Sequence, residues 1–424
     1  MRPWPGDVFL FGPGHPAAAA DNVICERIVK SLLWSRGGSR VWVDGPPELV
    51  DHLRRHYLED ATGRFDAHMM GEVVYDTVFE IVAAPRSEFP ASMETNAELG
   101  RHLDGARIGF DLGASDRKAA AVIHGEVVFS EEIPWDPSRH DDPQWHYDQI
   151  MDSLHRAAAH LPRVDAIGGS AAGIYVGNRI RVASLFRSVD LEVRARRVPG
   201  LFAEMKQAWG GIPFVVVNDG EVTALAGSMV GGVGGLLGIS LGSSEAAGYV
   251  TRQGGLTSWL DELAFAPIDY APDAPADEWS GDRGCGVQYL SQQAIGRLLA
   301  PAGIEADERL PLPERLLLLQ DLMAAGDERA ARVYDTVGTY LGYALLDYRE
   351  FYDFDNVLVL GRVVSGAGGD SILAGARRVL GSDDAFDPAM PGRSLVPITF
   401  LTVSERDKRH GQAAAAASLP ALEP

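Results

Sequence analysis

The sequence predicts an α/β protein of two similar lobes, each built on a mixed sheet, with a cleft between the lobes and an N-terminal extension. Three observations lead to this prediction. The chain has 424 residues, about three times the length of a typical domain. Apolar segments typical of strands alternate with segments that repeat at three- and four-residue spacing. A strand, a glycine turn and a second strand occur near residue 107 and again near residue 236.

Composition and charge are those of an acidic globular protein. Apolar residues make up 46% and charged residues 23%, which argues against a disordered chain. The formal net charge is −21 and no cluster of Lys and Arg stands out, so we expect neither a nucleic-acid nor a membrane partner. With two cysteines, no long apolar stretch and no signal peptide in view, we expect a cytoplasmic protein without a disulfide framework.

Residues 1–104 form an extension whose role the sequence does not define. A helix is predicted over 21–34, a strand over 40–43 and a second helix after Pro46 and Pro47. A winged-helix module could occupy this position, but the basic cluster at 54–56 is too small for a recognition helix. We therefore expect the extension to pack against the main body or to mediate oligomerisation.

The first lobe is predicted over 105–220 and the second over 221–404. In the first lobe, strands are predicted at 107–112, 118–123, 127–129, 164–169 and 214–217, and helices at 145–161 and 200–209. This order predicts a mixed sheet with a hairpin edge and parallel crossovers. In the second lobe, strands are predicted at 236–241, 246–251, 357–360 and 396–401, and helices at 222–229, 333–344 and 369–380. A terminal helix at 405–418 is expected to pack back on the first lobe.

The first candidate site follows the first strand of the first lobe. Asp111 ends a buried strand, and Gly113 and Ser115 lie in the tight turn after it. Such a turn leaves N–H groups free to face an anion, and the carboxylate could hold the Mg²⁺ that accompanies a polyphosphate. Taken alone, the pattern favours an ordinary hairpin turn in which Asp111 accepts local N–H bonds.

The second candidate site is the Asn218-Asp219 pair, which lies between an apolar strand and a helix of small residues. Asp219 could cap that helix, or it could act as a general base that accepts the proton of a substrate hydroxyl. Without further context, the cap is favoured.

Three weaker motifs follow along the chain. They are a second hairpin at Gly242-Ser243-Ser244, an acidic pair at Asp261-Glu262, and Gly361 at the end of a strand. Further glycines at 366–369 could let a flat adenine ring lie on bare backbone. Each motif taken singly is typical of a turn or of surface acids.

The order of these motifs, from residue 111 to residue 361, resembles that of the ROK family (repressors, open-reading-frame proteins and kinases) of the sugar kinase–actin–heat-shock-protein superfamily. The likeness covers about 106–418. The stretches that carry it are 108–121, 218–219, 241–248, 261–263 with 267–269, 281–285, 357–361 and 411–414.

The resemblance implies two duplicated actin/hexokinase-like (ribonuclease H-like) lobes and an ATP-dependent kinase of a sugar or polyol hydroxyl. ATP and Mg²⁺ are then the expected cofactors, and a homodimer is the expected assembly. The implied site residues are Asp219 as general base, Asn218 and Glu262 on the substrate, Asp111 on Mg²⁺ through water, and Gly113, Ser115, Gly242, Ser243, Ser244 and Gly361 on the nucleotide.

The sequence departs from the family at its zinc site and at its sugar pocket. Phe265 stands where the family has a zinc-binding His, and of three zinc cysteines only Cys285 remains. One thiolate without a nearby His cannot complete a tetrahedral site, so no zinc is predicted. Val287 replaces a sugar-contacting Glu, and Phe186 lies where an Asn commonly contacts the sugar. The identity of the sugar is therefore not implied.

Two alternatives remain open. A non-catalytic sugar-binding regulator or degenerate kinase, with the extension serving partners, agrees with the altered pocket but not with the retained Asp111, Asp219 and hairpins. An ATPase of the same superfamily that activates a partner enzyme often carries a cysteine-ligated iron–sulfur cluster, which Cys25 and Cys285 are too far apart in the sequence to favour.

Overall fold

The computed structural model describes residues 7–12, 14–91, 99–307, 309–381, 397–402 and 405–422, and the side chains of 405–410 are not described. By its contacts the chain divides into two compact units. Unit 1 comprises Met1–Thr95, Ile239–Ala247 and Ser258–Phe400, and unit 2 comprises Asn96–Gly238, Gly248–Thr257 and Leu401–Pro424.

The described chain alternates helices and strands. The helices are α1 (Ala18–Arg36), α2 (Pro47–Glu59), α3 (Ala61–His68), α4 (Pro143–Ala158), α5 (Leu191–Arg197), α6 (Leu201–Ala208), α7 (Asp219–Gly231), α8 (Gln292–Leu298), α9 (Leu312–Ala324), α10 (Glu328–Tyr348), α11 (Ala367–Leu380) and α12 (Glu405–Ala417). The strands are β1 (Arg40–Val43), β2 (Glu80–Ala83), β3 (Ala106–Leu112), β4 (Asp116–Ile123), β5 (Glu126–Pro134), β6 (Ala166–Ala171), β7 (Ile174–Val176), β8 (Arg179–Val182), β9 (Phe214–Asn218), β10 (Leu236–Leu241), β11 (Glu245–Val250), β12 (Asn356–Leu360) and β13 (Thr399–Leu401). Among the described helices, none is long and apolar enough to cross a bilayer.

Unit 2 is built on a five-stranded mixed sheet of order β5-β4-β3-β6-β9. β3 pairs antiparallel with β4, and β4 with β5, whereas β6 pairs parallel with β3 and with β9. This arrangement confirms the predicted hairpin edge and parallel crossovers. The sequence did not predict the small β7-β8 hairpin or helix α5 that follow β6.

The residues of β3 alternate between two helical layers. Ile108, Phe110 and Leu112 belong to an apolar core that also includes Ile150 and Leu154 of α4. Because side chains alternate across a strand, Gly109 faces the other side, where α12 lies. A Cβ at Gly109 would overlap the carbonyl group of Ala413, and one at Gly168 of β6 that of Ala416. These glycines therefore let the terminal helix lie directly on the sheet.

The remaining large sheet has the order β11-β10-β12-β13, in agreement with the strands expected for the second lobe. Beside it, α10 and α11 of unit 1 pack closely through small residues. A Cβ at Gly338 would overlap Ile372 backbone, and one at Gly375 would lie 3.1 Å from the Cα of Gly338. The backbones of the two helices can approach because no side chains separate them.

The N-terminal residues are part of unit 1 rather than a separate domain. β1 and β2 pair in parallel, and α1 buries Lys30 and Trp34 completely. The observed division of the chain thus differs from the domain boundary expected at 104/105. Side chains of α1 pack within unit 1 against residues that lie far along the sequence. This agrees with the expectation that the extension packs on the main body.

The second expected boundary, at 220/221, also differs from the observed division, since all of α7 belongs to unit 2. The side-chain amide of Gln412 in α12 donates a hydrogen bond to Thr223 Oγ1 of α7 at 2.7 Å. A sequence pattern could not show that α7 is held by the terminal helix.

Candidate functional site

In unit 2, the carboxyl ends of three parallel strands lie side by side. Asp111 is near the end of β3 and is in register with Ser170 of β6. Ala171 of β6 is in register with Asn218, the last residue of β9, and Asp219 follows directly. In open α/β sheets ligands bind at this edge. The fold therefore brings together the two acids that the sequence analysis singled out.

Asp111 is held by two partners that the sequence analysis did not assign to the site. The hydroxyl of Ser170 donates a hydrogen bond to Asp111 Oδ1. The Lys118 ammonium lies 3.3 Å from Asp111 Oδ2 and 3.2 Å from Asp116 Oδ1. Burial by itself lowers the pKa of Lys118, but the two carboxylates outweigh burial and the pKa is raised. The site thus contains a fixed positive charge between two acids.

The sequence contains a signal for Lys118. Residues 111 and 118 face each other across the β3–β4 hairpin, and a short turn between two alternating strands fixes such a pair. Ser170 gives no such signal, because β6 reaches β3 only through a long crossover.

The β3–β4 hairpin has a closed geometry. The N–H of Gly113 donates to Asp116 O at 2.9 Å, and Trp135 Nε1 donates to Gly113 O at 2.8 Å. The N–H group of Gly113 is thus engaged within the turn, contrary to the expectation that it would face an anion. The Ser115 hydroxyl donates to Asp116 Oδ2 at 2.9 Å, while the Ser115 residue itself is exposed.

The start of α7 is capped by Asn218, not by Asp219. Asn218 Oδ1 accepts the N–H of Gly220 at 2.7 Å, and the Glu221 carboxylate accepts the N–H of Asn218 at 3.0 Å. This capping box satisfies the helix terminus. The interpretation of Asp219 as the cap is therefore wrong. Asp219 Oδ1 accepts a hydrogen bond from the N–H of Gly220 at 3.0 Å, but Asp219 is not the N-cap residue.

Asn218 also anchors a neighbouring loop. Its Nδ2 donates to Gly173 O at 2.7 Å, which fixes the β9–α7 junction against the residues that follow β6. One N–H of the Asn218 amide remains beyond this bond and could reach a substrate hydroxyl.

Asp219 has a perturbed pKa. Burial and, to a smaller extent, the negative charge of Asp111 raise its pKa to about 6, although hydrogen bonds from backbone N–H groups oppose the shift. A carboxylate with a pKa close to the working pH is suited to general base catalysis. The geometry and electrostatics of unit 2 thus single out Asp219 as a proton acceptor.

In unit 1, the hairpin between β10 and β11 is also closed by a backbone hydrogen bond, from Gly242 N to Ser244 O at 2.9 Å. Ser243 and Ser244 are exposed at its tip. Gly242 does not have a left-handed φ, and a Cβ there would have only Ser244 O nearby, at 3.4 Å. This turn therefore does not require a glycine at position 242 for its backbone conformation.

Gly361 is required by packing within unit 1. Its φ is +101°, and a Cβ would overlap the backbone of Leu241. Glycines farther along also have packing partners: Gly368 lies on the Tyr334 ring and Gly369 on Val364 O. Close packing alone accounts for these three glycines, so their presence does not by itself indicate an adenine site.

Glu245, directly after the Gly242–Ser244 hairpin, is a buried acid that the sequence analysis did not single out. It is 3% exposed, and its Oε1 accepts the Tyr348 hydroxyl at 3.0 Å. Its Oε2 has no hydrogen-bond partner among the described residues. Burial raises the pKa of Glu245 to about 8, although the Tyr348 hydrogen bond opposes this. We therefore expect it to be mainly protonated at neutral pH.

The acidic pair of unit 1 has two different roles. Asp261 is buried, has a φ of +52°, and accepts the Tyr352 hydroxyl at 2.9 Å. Glu262 is only partly buried. Asp261 is thus a structural residue, and Glu262 is the member of the pair that a substrate could contact.

The residues at which we expected an altered zinc site and sugar pocket lie in apolar surroundings. Phe186 is 2% exposed in the core of unit 2. Cys285 and Val287 of unit 1 form an apolar cluster with Ala264, against which Phe265 packs. Within the described part of the chain, no three His, Cys, Asp or Glu side chains are grouped as metal ligands. A Mg²⁺ held through water needs no such group, and the Asp111 carboxylate is a suitable oxygen donor for it.

No family model matches the chain, and no curated protein matches it significantly. Solved structures do match. A ROK hexokinase from Thermus thermophilus has a TM-score of 0.56 and 19% identity, covering 73% of this chain and 97% of its own. A ROK glucokinase from Streptomyces griseus, in complex with glucose and AMPPNP, has a TM-score of 0.52 and 20% identity. The match covers 74% of this chain and 99% of the glucokinase.

A ROK-family transcriptional regulator, a homologue of the Escherichia coli MLC protein, is similar to the same degree. Its TM-score is 0.56 and its identity 20%, over 74% of this chain and 78% of the regulator. At such identities the likeness shows the fold. The chain therefore has the two-lobe α/β fold of ROK sugar kinases, which a regulator shares.

Proposed function

We propose that the protein is an ATP-dependent kinase that phosphorylates a hydroxyl group of a sugar or related polyol, with Asp219 as the general base. The observation that supports this most directly is the state of Asp219. Its pKa is raised to about 6, in part by the charge of Asp111, and the N-cap of α7 is Asn218 and not Asp219. The similar solved structures include sugar kinases, which supports the same reaction.

Phosphoryl transfer proceeds through a loose transition state, so the protein mainly positions reactants and balances charge. The acceptor hydroxyl oxygen forms a bond to the γ-phosphorus while the bond between that phosphorus and the ADP oxygen breaks. The hydroxyl proton passes to the Asp219 carboxylate, a contribution of about 10²–10⁴-fold. Mg²⁺, bound with the nucleotide, would be held by Asp111 through water and would offset phosphate charge. The Lys118 ammonium adds a second positive charge beside Asp111.

The other residues are assigned to binding. Asn218 and Glu262 orient the acceptor through its hydroxyls. The remaining assignments are to the nucleotide. The exposed serines of the two hairpins, Ser115, Ser243 and Ser244, contact its phosphates, Gly113 and Gly242 lie at the bases of these hairpins and leave room for the phosphates, and Gly361 lies at its adenosine. These hairpins keep a fixed shape without ligand because each is closed by a backbone hydrogen bond, which lowers the entropy cost of binding.

The proposal is tested by measuring ATP consumption and sugar phosphate formation with a panel of hexoses, amino sugars and polyols. We expect transfer to at least one member. The competing function is a non-catalytic sugar-binding regulator, which the fold shared with a transcriptional regulator supports. Sugar binding without nucleotide binding or phosphate transfer would establish the regulator instead.

A pH profile tests the assignment of Asp219. Only the deprotonated carboxylate can accept a proton, and its pKa of about 6 lies above the ordinary value of 3.8. We expect kcat/KM to be constant above the pKa and to fall about tenfold for each pH unit below it. Glu245→Gln is the control, because Glu245 is also a buried acid with a raised pKa. The fall of kcat/KM at low pH should remain in that variant. A wild-type profile that is flat between about pH 5 and 8 would contradict the assignment.

Gly242→Val tests the hairpin of unit 1. The structure gives Gly242 an ordinary φ and room for a Cβ, so the variant should fold. A branched side chain at the base of the hairpin should obstruct phosphate, and we expect ATP–Mg²⁺ affinity to fall by at least about tenfold, or 1.4 kcal/mol.

Calorimetric titration measures this effect, with Gly200→Val as the control. Gly200 also lacks a left-handed φ and has nothing within 4 Å of a Cβ, but it lies outside the proposed site. Unchanged ATP affinity in Gly242→Val would remove the hairpin from the site. A folded wild-type protein that binds no nucleotide would overturn the kinase proposal itself.

A further inference from the structure

Helix α1 of unit 1 buries an unusual set of polar side chains. Lys30 and Trp34, one turn apart, are both 0% exposed. A buried ammonium is costly unless it is fully paired. The partners of Lys30 therefore indicate what this helix contributes.

Lys30 is paired with two carboxylates from separate parts of unit 1. Its ammonium donates to Asp66 Oδ1 at 2.9 Å and Oδ2 at 2.8 Å, and lies 2.9 Å from Asp282 Oδ2. Arg27, one turn earlier, lies 3.0 Å from Asp282 Oδ2. Burial alone raises the pKa of Asp282, but Lys30 and Arg27 outweigh burial and the pKa is lowered. The cluster thus joins α1 to α3 and to the loop before Cys285.

Trp34 extends this cluster with an aromatic stack. Its ring lies on Phe265 with 4.2 Å between centroids, and its Nε1 donates to Asp66 Oδ1 at 2.8 Å. The Phe65 ring of α3 also lies near Phe265, with 6.0 Å between the two ring centroids. Asp66 therefore binds Lys30 and Trp34 together.

These partners lie where the sequence resemblance places the zinc site. Phe265 and Cys285 correspond to zinc-ligand positions of the family, and both belong to one apolar cluster here. Arg27 of α1 donates to the Arg283 carbonyl at 3.3 Å, and the Cys285 thiol lies 3.8 Å from the backbone carbonyl oxygen of Asp282, whose carboxylate pairs with Lys30. Side chains of α1 thus occupy the surroundings of the two former ligand positions.

The same helix binds the backbone of the acidic pair directly. The carbonyls of Trp34 and Ser35 accept the N–H groups of Glu262 and Asp261, both at 2.9 Å. Carbonyls in the last turn of a helix lack partners within the helix, so they are available for this contact. Next to them, the Arg36 guanidinium lies 4.6 Å above the Trp259 ring. The end of α1 therefore fixes the segment 259–262.

We propose that α1 is a positioning element for Glu262, and that its cluster of Lys30, Trp34, Asp66 and Asp282 holds α1 against the segments that carry Phe265 and Cys285. The N-terminal residues are then required for substrate binding without contacting substrate. The link to substrate rests on the proposed function of Glu262, whereas the ordering of the 259–262 backbone does not.

The test compares Lys30→Met with wild type in two measurements. Hydrogen–deuterium exchange reports the amides of Asp261 and Glu262, and calorimetry reports the affinity for ATP–Mg²⁺ and for D-glucose or another panel sugar that wild type binds. We expect faster amide exchange and sugar affinity weakened by about tenfold or more, with ATP affinity unchanged. A general loss of folding would instead lower the affinity for both ligands.

Two further variants separate positioning from simple destabilisation. Lys30→Met alone leaves the Asp66 carboxylate buried without the ammonium that pairs with it. The double variant Lys30→Met/Asp66→Asn removes that carboxylate, so we expect it to recover part of the amide protection and of the sugar affinity. Trp34→Phe keeps an aromatic ring but loses the bond to Asp66, and it serves if Lys30→Met does not fold. Arg40→Met is the control, because Arg40 forms an exposed ion pair with Glu80 in the same N-terminal region, and it should change neither measurement.

Unchanged exchange at residues 261 and 262 in folded Lys30→Met would overturn the proposal, as would a loss of ATP affinity equal to that of sugar affinity. If wild type binds no sugar of the panel, the proposed function fails, and the exchange measurement still decides whether α1 orders this segment.

Discussion

Asp219→Asn should lower the rate of phosphoryl transfer by at least about 100-fold, the low end of the contribution of a general base. The amide has the same shape as the carboxylate but cannot accept the hydroxyl proton. Affinity for ATP–Mg²⁺ should remain nearly unchanged, because Asp219 is assigned to the acceptor side. Steady-state kinetics with the preferred sugar and a calorimetric titration with nucleotide measure the two effects.

The stability of this variant should be equal to or greater than that of wild type at pH 8. A carboxyl whose pKa is raised in the folded state, as for Asp219, disfavours folding at pH values above its ordinary pKa. Thermal unfolding checks this.

Glu221→Gln is the matched control for Asp219→Asn, because it makes the same change from acid to amide beside Asp219 but retains the base. Its amide oxygen can still accept the N–H of Asn218, so we expect it to retain most of the stability and activity. An Asp219→Asn enzyme that keeps more than about a tenth of the wild-type rate would show that Asp219 is not the base.

Gly361→Ala should be one of the strongly damaging single-methyl changes in unit 1. The position has a φ of +101°, and a Cβ would overlap the backbone of Leu241, so β12 and β10 cannot both keep their places. Strain and overlap together should cost about 4 kcal/mol or more. The free energy of unfolding in urea measures the loss.

Gly366→Ala provides the control for this prediction. Gly366 also has a left-handed φ, +72°, but nothing lies within 4 Å of its Cβ position. The variant should therefore show only the backbone cost, about 1–2 kcal/mol. Equal losses in the two variants would mean that the overlap with Leu241 is relieved by a small shift, and that Gly361 is required by its φ alone.

Most of the fold could be predicted from local patterns. β3, β4, β5, β6 and β9 were each expected within a few residues of their observed positions, because alternation and tight turns are properties of neighbouring residues. The hairpin edge and the parallel crossovers then followed from the order of strands and helices. β2, the β7-β8 hairpin and α5 were missed, since strands of three or four residues carry too little pattern to distinguish from loops.

The candidate site could be predicted only in part. Asp111 and Asp219 were identified because each stands at the end of an apolar strand, and such ends converge in a parallel sheet. The capping box was misassigned by one residue, because Asn218 and Asp219 are both good caps. The hydroxyl of Ser170 and the charge of Lys118 depend on how β6 and β4 meet β3, which is a property of the assembled sheet.

The sequence by itself determined the class of fold, the strand ends that carry acids, and the presence of Phe265 and Cys285 at positions where the resemblance led us to expect zinc ligands. These follow from residue identity and from spacing over a few positions. Only the tertiary structure decided what occupies the surroundings of Phe265 and Cys285, which residue caps α7, and the raised pKa of Asp219. The cap of α7 was left open because Asn218 and Asp219 are both good caps. The other two depend on interactions between residues far apart in the chain, such as the stacking of Trp34 on Phe265 and the effect of the Asp111 charge on Asp219. Burial and charge in the folded protein are set by such contacts, and no local pattern contains them.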